Sequence, residues 1–465
     1  MEQKIELYLK QFPIYELLKE TNSFIVGGTI RSLILNEEIL DIDILTFDDI
    51  NVIAKQIAKI TSGTIVKLDE NTIRVASDIN YDISTPRGNN IFEDLSKRDF
   101  TINSIAYDIR NKIILDPMYG KNDISGKIIR ISYLDAFKDD PLRLLRAIRF
   151  SAIYDFDFEM NTYNQMIKDA YLIKNVSGER IHYELIKMFS SNNPYKALKT
   201  LIDTNIGFYL FPELSDLKKP LPFLEQNILE HTLKVVEFLD FYLKYLDKSP
   251  FHYYLHRFKV LEKPENRAIL VIAAIFHDIA KPKTHSYENG EVHFYGHDVE
   301  GAKIFKEIAK RLSFSRREIK IISNLILNHM HPHYLSSPET TKKAINRFLN
   351  RVEDISKGEE GWTFPLILIA FCDALATKLS HYGVSGHLKI ARILEDILQE
   401  KEANQNKPPR LVTGYDIMER GISPSPIYKK ILQEIEDLVV EGVIKTREQA
   451  LSVLDEIIKK YKEQS

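Results

Sequence analysis

The sequence predicts an α+β chain that is predominantly helical, with a small α/β head at the start. Three observations support this fold class. Strand and helix signals alternate over residues 1–125, strand signals stop after residue 126, and residues 223–400 look helical throughout. In the head, Phe24-Ile25-Val26 predicts a strand that runs through Gly27-Gly28 into a helix ending at Leu35. The following segment ILDIDIL alternates with period two, and further short strands are predicted at Thr64–Leu68, Ile73–Ala76 and Tyr81–Ser84.

Chain length and a polar, proline-containing stretch divide the chain into four predicted segments. At about 150 residues per domain, 465 residues correspond to about three domains. The polar Pro-Pro stretch at 402–413 predicts a linker. We therefore expect the segments to be a head, a helical neck, a larger helical domain, and a linker with a helical tail, at 1–125, 126–220, 221–400 and 401–465.

Composition excludes several classes of protein. A hydrophobic content of 44% excludes an intrinsically disordered chain, and a single cysteine, Cys372, excludes a disulfide scaffold. No run approaches 18 apolar residues, and the charged start MEQKIELYLK predicts a helix and not a signal peptide. We therefore expect a cytoplasmic protein that does not span a membrane.

Charge is distributed unevenly along the chain. The net charge is −3, which by itself argues against a nucleic-acid partner. However, residues 1–125 hold 14 Lys and Arg against 20 Asp and Glu, whereas residues 126–200 hold 12 against 9. Binding to phosphates depends on the local patch, so the segment after the head is a candidate for contact with nucleic acid.

Two acidic residues in the head form a candidate metal site. Asp41 and Asp43 are two positions apart on the predicted strand ILDIDIL, so both carboxylates point to one face. Oxygen ligands of this kind suit Mg²⁺, although solvent-facing carboxylates are the commoner meaning of an isolated D-x-D. Upstream, Gly28 at a strand-to-helix turn lets the backbone approach a phosphate, and Arg31 can add a charged contact. This layout is typical of two-metal nucleotidyl transfer.

The order of motifs then resembles a known family. FIVGGTIR, DIDIL, RDFTINSIAYD, DDPLRLLRAIRF and GERIHYELIKMF occur in the order seen in class II tRNA nucleotidyltransferases and bacterial poly(A) polymerases, of the polymerase β superfamily. The resemblance covers about residues 20–215. It implies a polymerase-β-like head, Mg²⁺ held by Asp41 and Asp43 as the catalytic pair, and a template-independent enzyme that extends the 3′ end of tRNA from CTP and ATP.

The resemblance also implies roles for the RDFTIN segment. Arg98, Asp99 and Asn103 would contact the sugar and phosphates of the incoming nucleotide. For Asp99 and Asn103, helix capping is the alternative. Asp82, on a later strand, is either an auxiliary carboxylate or an ordinary surface residue.

DDPLRLLRAIRF matches the motif with which the family reads the base. There Asp140 and Arg143 would present an edge similar to that of a Watson–Crick partner. Arg146 and Arg149 continue the same helix face and would reach the triphosphate, with a solvated basic stripe as the alternative.

The sequence departs from the family pattern in three places. Ser32 and Asp139 replace the usual Asp and Glu, and only 16 residues, DISTPRGNNIFEDLSK, separate Tyr81 from Arg98. The shortened loop resembles members that add only CC, so CC-addition stands beside full CCA-addition. A poly(A) polymerase and an RNA-binding regulator with an inactive site are the remaining hypotheses.

Histidines are concentrated later in the chain, where seven of 13 lie between residues 277 and 333. His277-Asp278 follows the apolar run AILVIAAIF. With His231 before it and Asp373 after it, on separate predicted helices, the pair resembles the H…HD…D pattern of the HD phosphohydrolase superfamily. The resemblance implies a divalent transition metal such as Mn²⁺, Ni²⁺ or Fe²⁺ bound by His231, His277, Asp278 and Asp373. A second metal or a phosphate is assigned to His297 and His329, and a phosphate to Lys281. We expect the surface to hold His285, His293, His331 and His333, and oligomeric state stays open.

Overall fold

The computed structural model describes residues 1–463 except for 221–226, 289–290, 356–360, 378–380, 406–410, 424, 426 and 441–442. Part of the predicted linker and the start of the predicted third segment therefore lie outside the described residues. The chain divides into two compact units, residues 1–392 and 393–465, which are described separately. No helix within the described ranges combines the length and apolar character needed to cross a bilayer.

The head is built on a seven-stranded sheet in the order β3-β4-β5-β2-β1-β6-β7. Strands β2 and β5 are parallel and the other neighbours are antiparallel. All five strands predicted from the sequence are present, and β6 and β7 add two more. The elements are α1 (Glu2–Leu9), α2 (Tyr15–Glu20), β1 (Ser23–Val26), α3 (Gly28–Leu35), β2 (Asp41–Thr46), α4 (Ile50–Thr61), β3 (Thr64–Lys67), β4 (Thr72–Ala76), β5 (Asn80–Ser84), α5 (Ile91–Ser96), β6 (Ala106–Asp108), β7 (Ile113–Leu115) and α6 (Gly120–Gly126).

Strand β2 positions the acidic pair. Ile42 and Ile44 are fully buried on one face of the strand, so the alternation places Asp41 and Asp43 together on the other. Parallel pairing with β5 then sets Asp82 directly beside Asp43.

The neck is helical apart from one short pair of parallel strands. Its elements are β8 (Ile128–Ile129), α7 (Ala136–Asp139), α8 (Arg143–Tyr154), β9 (Asp157–Phe158), α9 (Met160–Asp169), α10 (Gly178–Phe189), α11 (Pro194–Asp203), α12 (Ile206–Leu210) and α13 (Leu214–Leu217). The strands β8 and β9 correct the expectation that this segment is entirely α-helical. They are two residues each, too short for a period to show in sequence.

The third segment is a helical array with one antiparallel strand pair. Its elements are α14 (Ile228–Lys244), α15 (Pro264–Phe276), α16 (Lys281–Thr284), β10 (Ser286–Glu288), β11 (Glu291–His293), α17 (His297–Arg311), α18 (Arg316–Asn328), α19 (His331–Leu335), α20 (Lys342–Ile355), α21 (Thr363–Ala376) and α22 (His381–Gln405). The pair β10/β11 corrects the prediction of helix throughout. The dipeptide Asn289-Gly290 between these strands is a strong hairpin signal that the helical interpretation overlooked.

Helix α10 packs against both the neck and the third segment. Its apolar face shares a core with α15 and its neighbours through Leu185, Phe189, Ile272 and Phe276. A Cβ on Gly178 would lie 2.5 Å from the backbone oxygen of Arg311, so only glycine fits this approach. The neck and the third segment therefore share one continuous interior.

The second unit has its own core. It contains α23 (Gly414–Met418), α24 (Ile427–Val440) and α25 (Arg447–Glu463), whose apolar residues cluster around Ile431, Ile435 and Leu454. The helical tail predicted from the sequence is present in the described residues.

Candidate active sites

The first candidate site lies on the face of β2 that carries the acidic pair. Asp82 is held by Arg74, whose Nε and Nη2 donate to its two oxygens at 2.7 Å each, and Nη2 also lies 3.7 Å from Asp41 Oδ2. Burial raises the pKa of Asp43, Arg98 opposes the rise, and Asp82 adds to it. Asp82 is thus paired with Arg74, whereas Asp43 is partly buried and forms no ion pair within the described residues.

The glycine turn before α3 lies against Asp43. Gly27 has φ +61°, a conformation that favours glycine, and a Cβ on Gly28 would lie 2.8 Å from Asp43 Oδ2. Thr29 fixes the same carboxylate, because its backbone N–H donates to Oδ2 at 3.3 Å and its Oγ1 accepts from the Asp43 N–H at 2.7 Å. Nothing in the sequence distinguishes Thr29 from an ordinary residue of the turn.

Arg98 and Arg31 approach this turn from two sides. Arg98 Nη1 lies 2.9 Å from where a Cβ on Gly27 would stand, and its Nε donates to the buried Asp94 at 2.8 Å. Arg31 donates to Asn103 Oδ1, and its guanidinium lies 5.0 Å from the Phe150 ring centroid. Arg31 and Arg98, two of the arginines predicted to bind phosphate, therefore lie beside the glycine turn, and Asp94, four residues before Arg98, is a further positioning residue.

Asp99 forms the polar centre between the head and α8. Its Oδ1 accepts from the Phe100 N–H and from Asn103 Nδ2, each at 2.9 Å, and its Oδ2 accepts from Arg146 at 2.9 and 2.6 Å. Burial disfavours the charged form, but Arg146 and the hydrogen bond from Asn103 outweigh it and hold the pKa of Asp99 well below its ordinary value. Asp99 thus organises neighbouring residues, and its predicted contact with nucleotide stays a prediction.

Arg149 is paired inside the neck. Its Nε donates to Glu184 Oε2 at 2.6 Å, and this Glu side chain is 1% exposed. Arg146 also lies 3.9 Å from the same residue. The two arginines predicted to reach a triphosphate are therefore already engaged by carboxylates, and that role stays a prediction.

The predicted base-reading pair is held by other neck residues. Both oxygens of Asp140 accept from Arg180 Nη2, at 3.1 and 3.0 Å, and Arg143 Nη1 donates to the Tyr133 hydroxyl at 2.6 Å. Arg143 faces an open cleft of about 530 Å³, lined by Arg87, Ser96, Lys97, Ser132, Tyr133, Asp139 and Arg143.

The second candidate site brings together all four predicted HD ligands. His231 Nε2 lies 2.9 Å from Asp373 Oδ1 and 3.6 Å from Asp278 Oδ2, and His277 Nε2 lies 3.2 Å from the same Oδ2. His231, His277 and Asp373 present ligand atoms within 4.8 Å of one another. All four side chains are buried.

A second group of ligand atoms shares Asp278. His297 Nε2 and His329 Nε2 lie 3.5 and 3.6 Å from its Oδ1, and 3.2 Å from each other. Asp278 therefore lies between two histidine groups, with one oxygen facing each.

The backbone orients three of these histidines in the same way. The Nδ1 atoms of His277, His297 and His329 lie 2.7, 2.6 and 2.6 Å from the carbonyls of Ala274, Phe294 and Ile326. A carbonyl can only accept, so each Nδ1 carries a proton, and in the neutral imidazole the Nε2 lone pair is then available to a metal. This arrangement is typical of histidines that bind a metal.

Several buried atoms at this centre lack hydrogen bonds. They include His231 Nε2, His277 Nε2 and Asp278 Oδ1. Burial disfavours a charge on Asp278, but His277 and Lys281 outweigh it and hold its pKa well below the ordinary value. Lys281 Nζ lies 2.5 Å from Asp278 Oδ2, so the lysine predicted to bind phosphate is at the site. A divalent cation would satisfy these atoms, which is the pattern a metal centre requires.

One histidine expected on the surface belongs to this site. His333 Nε2 lies 2.8 Å from Asp373 Oδ2, with a side chain only 16% exposed. The expectation of a surface position was wrong, because α19 carries the residue back over α21. His331 is half-buried and stacks on Phe348.

Comparison with family models identifies three parts of the chain. Residues 23–130 match the poly A polymerase head domain, and residues 228–377 match the HD domain. Between them, residues 155–218 match a model described as a probable RNA and SrmB-binding site of polymerase A.

Known relatives agree with these matches. A CCA-adding enzyme of Ligilactobacillus salivarius is 32% identical over 244 residues, covering 46% of this chain and 58% of that protein. An A-adding tRNA nucleotidyltransferase of Deinococcus radiodurans is 25% identical over 439 residues, covering 92% of this chain and 93% of that protein. The chain spans little more than half the length of the CCA-adding relatives, from 55 to 61%.

Solved structures share the fold. The Thermotoga maritima CCA-adding enzyme complexed with tRNA has a TM-score of 0.58 and 21% identity, covering 98% of this chain and 96% of that one. The chain thus carries a poly A polymerase head domain and an HD domain, and it is similar over 92% of its length to a tRNA nucleotidyltransferase.

Proposed function

We propose that this protein extends the 3′ end of tRNA with C, A or both, using CTP and ATP and no nucleic-acid template. The observation that carries the proposal is the glycine turn packed against Asp43, on the strand that also bears Asp41. Relatives that match over most or half of this chain are named as A-adding and CCA-adding enzymes, and solved structures of the same fold hold tRNA, ATP or CTP.

The residues of the head fit Mg²⁺. Asp41 and Asp43 would hold it, since Asp82 is engaged by Arg74 and burial raises the pKa of Asp43 despite the opposing charge of Arg98. When bound, the metal supplies activation of the 3′-hydroxyl and neutralises phosphate charge. The α3 N-terminus and Arg98 would bind the phosphates, and Thr29 would hold the Asp43 carboxylate in place.

Base selection is assigned to the pair in the neck. The Asp140 carboxylate would accept from the exocyclic amino group that C and A share, and Arg143 would donate to ring acceptors beside it. A protein site of this kind replaces a template strand, because a wrong base leaves buried polar groups without partners.

Nucleotide specificity follows from the short connection between β5 and α5. It contains residues 85–90 only, and this brevity favours CC-addition as one form of the activity. The deciding experiment offers tRNAs that end before CCA, after C and after CC, with CTP, ATP or both, and sequences the 3′ ends. A product that stops at CC supports the short-loop argument, full CCA refutes it, and long A tails indicate a poly(A) polymerase.

The same assay tests the head itself. The double variant Asp41→Ala with Asp43→Ala should abolish incorporation and leave hydrolysis by the HD domain unchanged. Incorporation that survives both substitutions would show that the acidic pair has been misassigned. A wild-type protein that binds tRNA but incorporates no nucleotide would favour an RNA-binding regulator.

We also propose a metal-dependent phosphohydrolase activity for the HD domain. The buried atoms without hydrogen bonds around Asp278 favour a divalent transition metal, which supplies an activated water when bound. His231, His277, Asp278 and Asp373 would hold one ion, and His297 and His329 a second ion or a phosphate, with Lys281 as a phosphate ligand. His277→Ala with Asp278→Ala should remove phosphatase and phosphodiesterase activity and leave incorporation intact.

Because tRNA is the proposed substrate, we place the protein in the cytoplasm.

A further inference from the structure

The guanidinium of Arg143 is held on one side by a tyrosine. Its Nη1 donates to the Tyr133 hydroxyl at 2.6 Å and to the Ala136 carbonyl at 3.2 Å. Its Cζ lies 5.6 Å from the centroid of the same Tyr133 ring. Within the described residues, Nε and Nη2 of Arg143 have no hydrogen bond. Two donor groups of this side chain therefore remain available to a ligand.

The tyrosine hydroxyl is itself fixed by a carboxylate. It donates to Asp139 Oδ2 at 2.7 Å. A hydroxyl has a single hydrogen, and since Asp139 accepts it, a lone pair of the Tyr133 oxygen must face Arg143. The hydrogen bonds thus run in one direction, from Arg143 to Tyr133 to Asp139, with a formal charge at each end that strengthens both.

These three side chains line the open cleft of about 530 Å³. This volume falls within the range usual for small-molecule sites. Tyr133 therefore lies in the wall of the space that a nucleotide bound to Arg143 would enter.

The two bases in question demand different donors. On the edge used for pairing, cytosine offers two adjacent acceptors, O2 and N3, whereas adenine offers N1 alone. A guanidinium held in one rotation presents a fixed pair of N–H groups, because its donors form a rigid fork. One that turns freely can adapt to either base.

We propose that Tyr133 is a specificity-determining positioning residue, which fixes the rotation of the Arg143 guanidinium and so decides which base edge is accepted. This inference rests on the proposed nucleotide addition. Asp139, which stands where the family usually has Glu, is the anchor that holds the Tyr133 hydroxyl in place.

The test is the full-length variant Tyr133→Phe, which keeps the ring and removes the acceptor. We would measure kcat and KM separately for CTP and ATP, on tRNAs ending before CCA and after CC. The ratio of kcat/KM for the two nucleotides should change about tenfold, the factor expected for one hydrogen bond. Asp139→Asn should move the ratio in the same direction by less. Tyr119→Phe, at a tyrosine that is 71% exposed, should leave the ratio unchanged.

Two outcomes would overturn the inference. An unchanged ratio in Tyr133→Phe, or an equal fall of kcat/KM for both nucleotides, would assign the residue a merely structural role. If Tyr133→Phe does not fold, the ratio in Asp139→Asn decides in the same way. If the wild-type protein incorporates neither nucleotide, the proposed function is wrong and this inference falls with it. That result would be seen before any variant is measured, so the two failures can be told apart.

Discussion

Asp99→Asn should weaken the junction between the head and α8. The substitution keeps the size of the side chain but removes the charge that faces Arg146, which donates to Asp99 at 2.9 and 2.6 Å. Breaking a buried ion pair costs about 3–5 kcal/mol, and we expect about 2–3 kcal/mol because a third of the Arg146 side chain is exposed. The loss should appear as reduced stability of the head.

The loss of stability in Asp99→Asn should depend on pH, because the wild-type carboxyl titrates. The folded-state pKa of Asp99 lies below its ordinary value of 3.8, so the ionised form stabilises the fold above that pH. This stabilisation is lost as pH falls from 3.8 toward the folded-state pKa, where the wild-type residue also takes up a proton. The difference between wild type and Asp99→Asn should therefore be full at pH 7 and shrink below pH 3.8.

Native-state hydrogen exchange is the suitable assay, because it reports opening of one region in a chain of several domains. Two backbone hydrogen bonds close this junction, one from the Thr101 N–H to the Arg130 carbonyl and one from the Ser132 N–H to the Asp99 carbonyl. These two amides should lose protection from exchange by roughly 30- to 150-fold at pH 7. Two controls accompany the measurement. Asp99→Asn combined with Arg146→Met should recover part of the loss, since no unpaired charge remains.

The second control removes an exposed ion pair of the same type. Lys138→Met breaks the contact with Asp135, whose side chain is 57% exposed, and should not change protection measurably. Equal protection in Asp99→Asn and wild type at pH 7 would refute the view that this buried pair stabilises the junction.

Three further predictions concern the two sites. Gly28→Ala should lower kcat for nucleotide incorporation about 100-fold, because its Cβ would stand 2.8 Å from Asp43 Oδ2, and steady-state kinetics with HD-domain hydrolysis as the control would check this. Asp278→Asn should remove tightly bound transition metal from both histidine groups, as measured by plasma mass spectrometry of the purified protein, and an unchanged metal content would contradict a shared ligand. Arg180→Met should raise KM for the nucleotide about 2- to 10-fold with kcat retained, since Asp140 loses its only side-chain donor among the described residues; a pure kcat effect would argue against this positioning role.

The sequence predicted those features that depend on local spacing. Period-two alternation placed Asp41 and Asp43 on one strand face, and Gly27-Gly28 marked the turn beside them, because both signals lie within a few residues. The adjacent pair His277-Asp278 likewise predicted ligands at the end of a buried helix.

Pairing between distant segments could not be predicted in this way. Arg146 meets Asp99 across 47 positions and Arg149 meets Glu184 across 35, so a basic stripe on α8 gave no sign of its internal partners. His333 was assigned to the surface because sequence alone does not show which helix will pack over it. Strand pairing in β8/β9 also depends on contacts distant in sequence.

Helix α10 makes the two halves of this protein hard to separate. Its Arg180 and Glu184 contact Asp140 and Arg149 in the neck, whereas His182 Nε2 lies 3.0 Å from Oε1 of Glu318, the third residue of α18 and part of its capping box. A fragment cut near residue 220 would expose the apolar face that α10 shares with α15 on both pieces. Any exchange of HD domains between relatives must therefore carry this helix, or a matched surface, with it. The head and the HD domain are in this sense joined by folding as well as by the peptide chain.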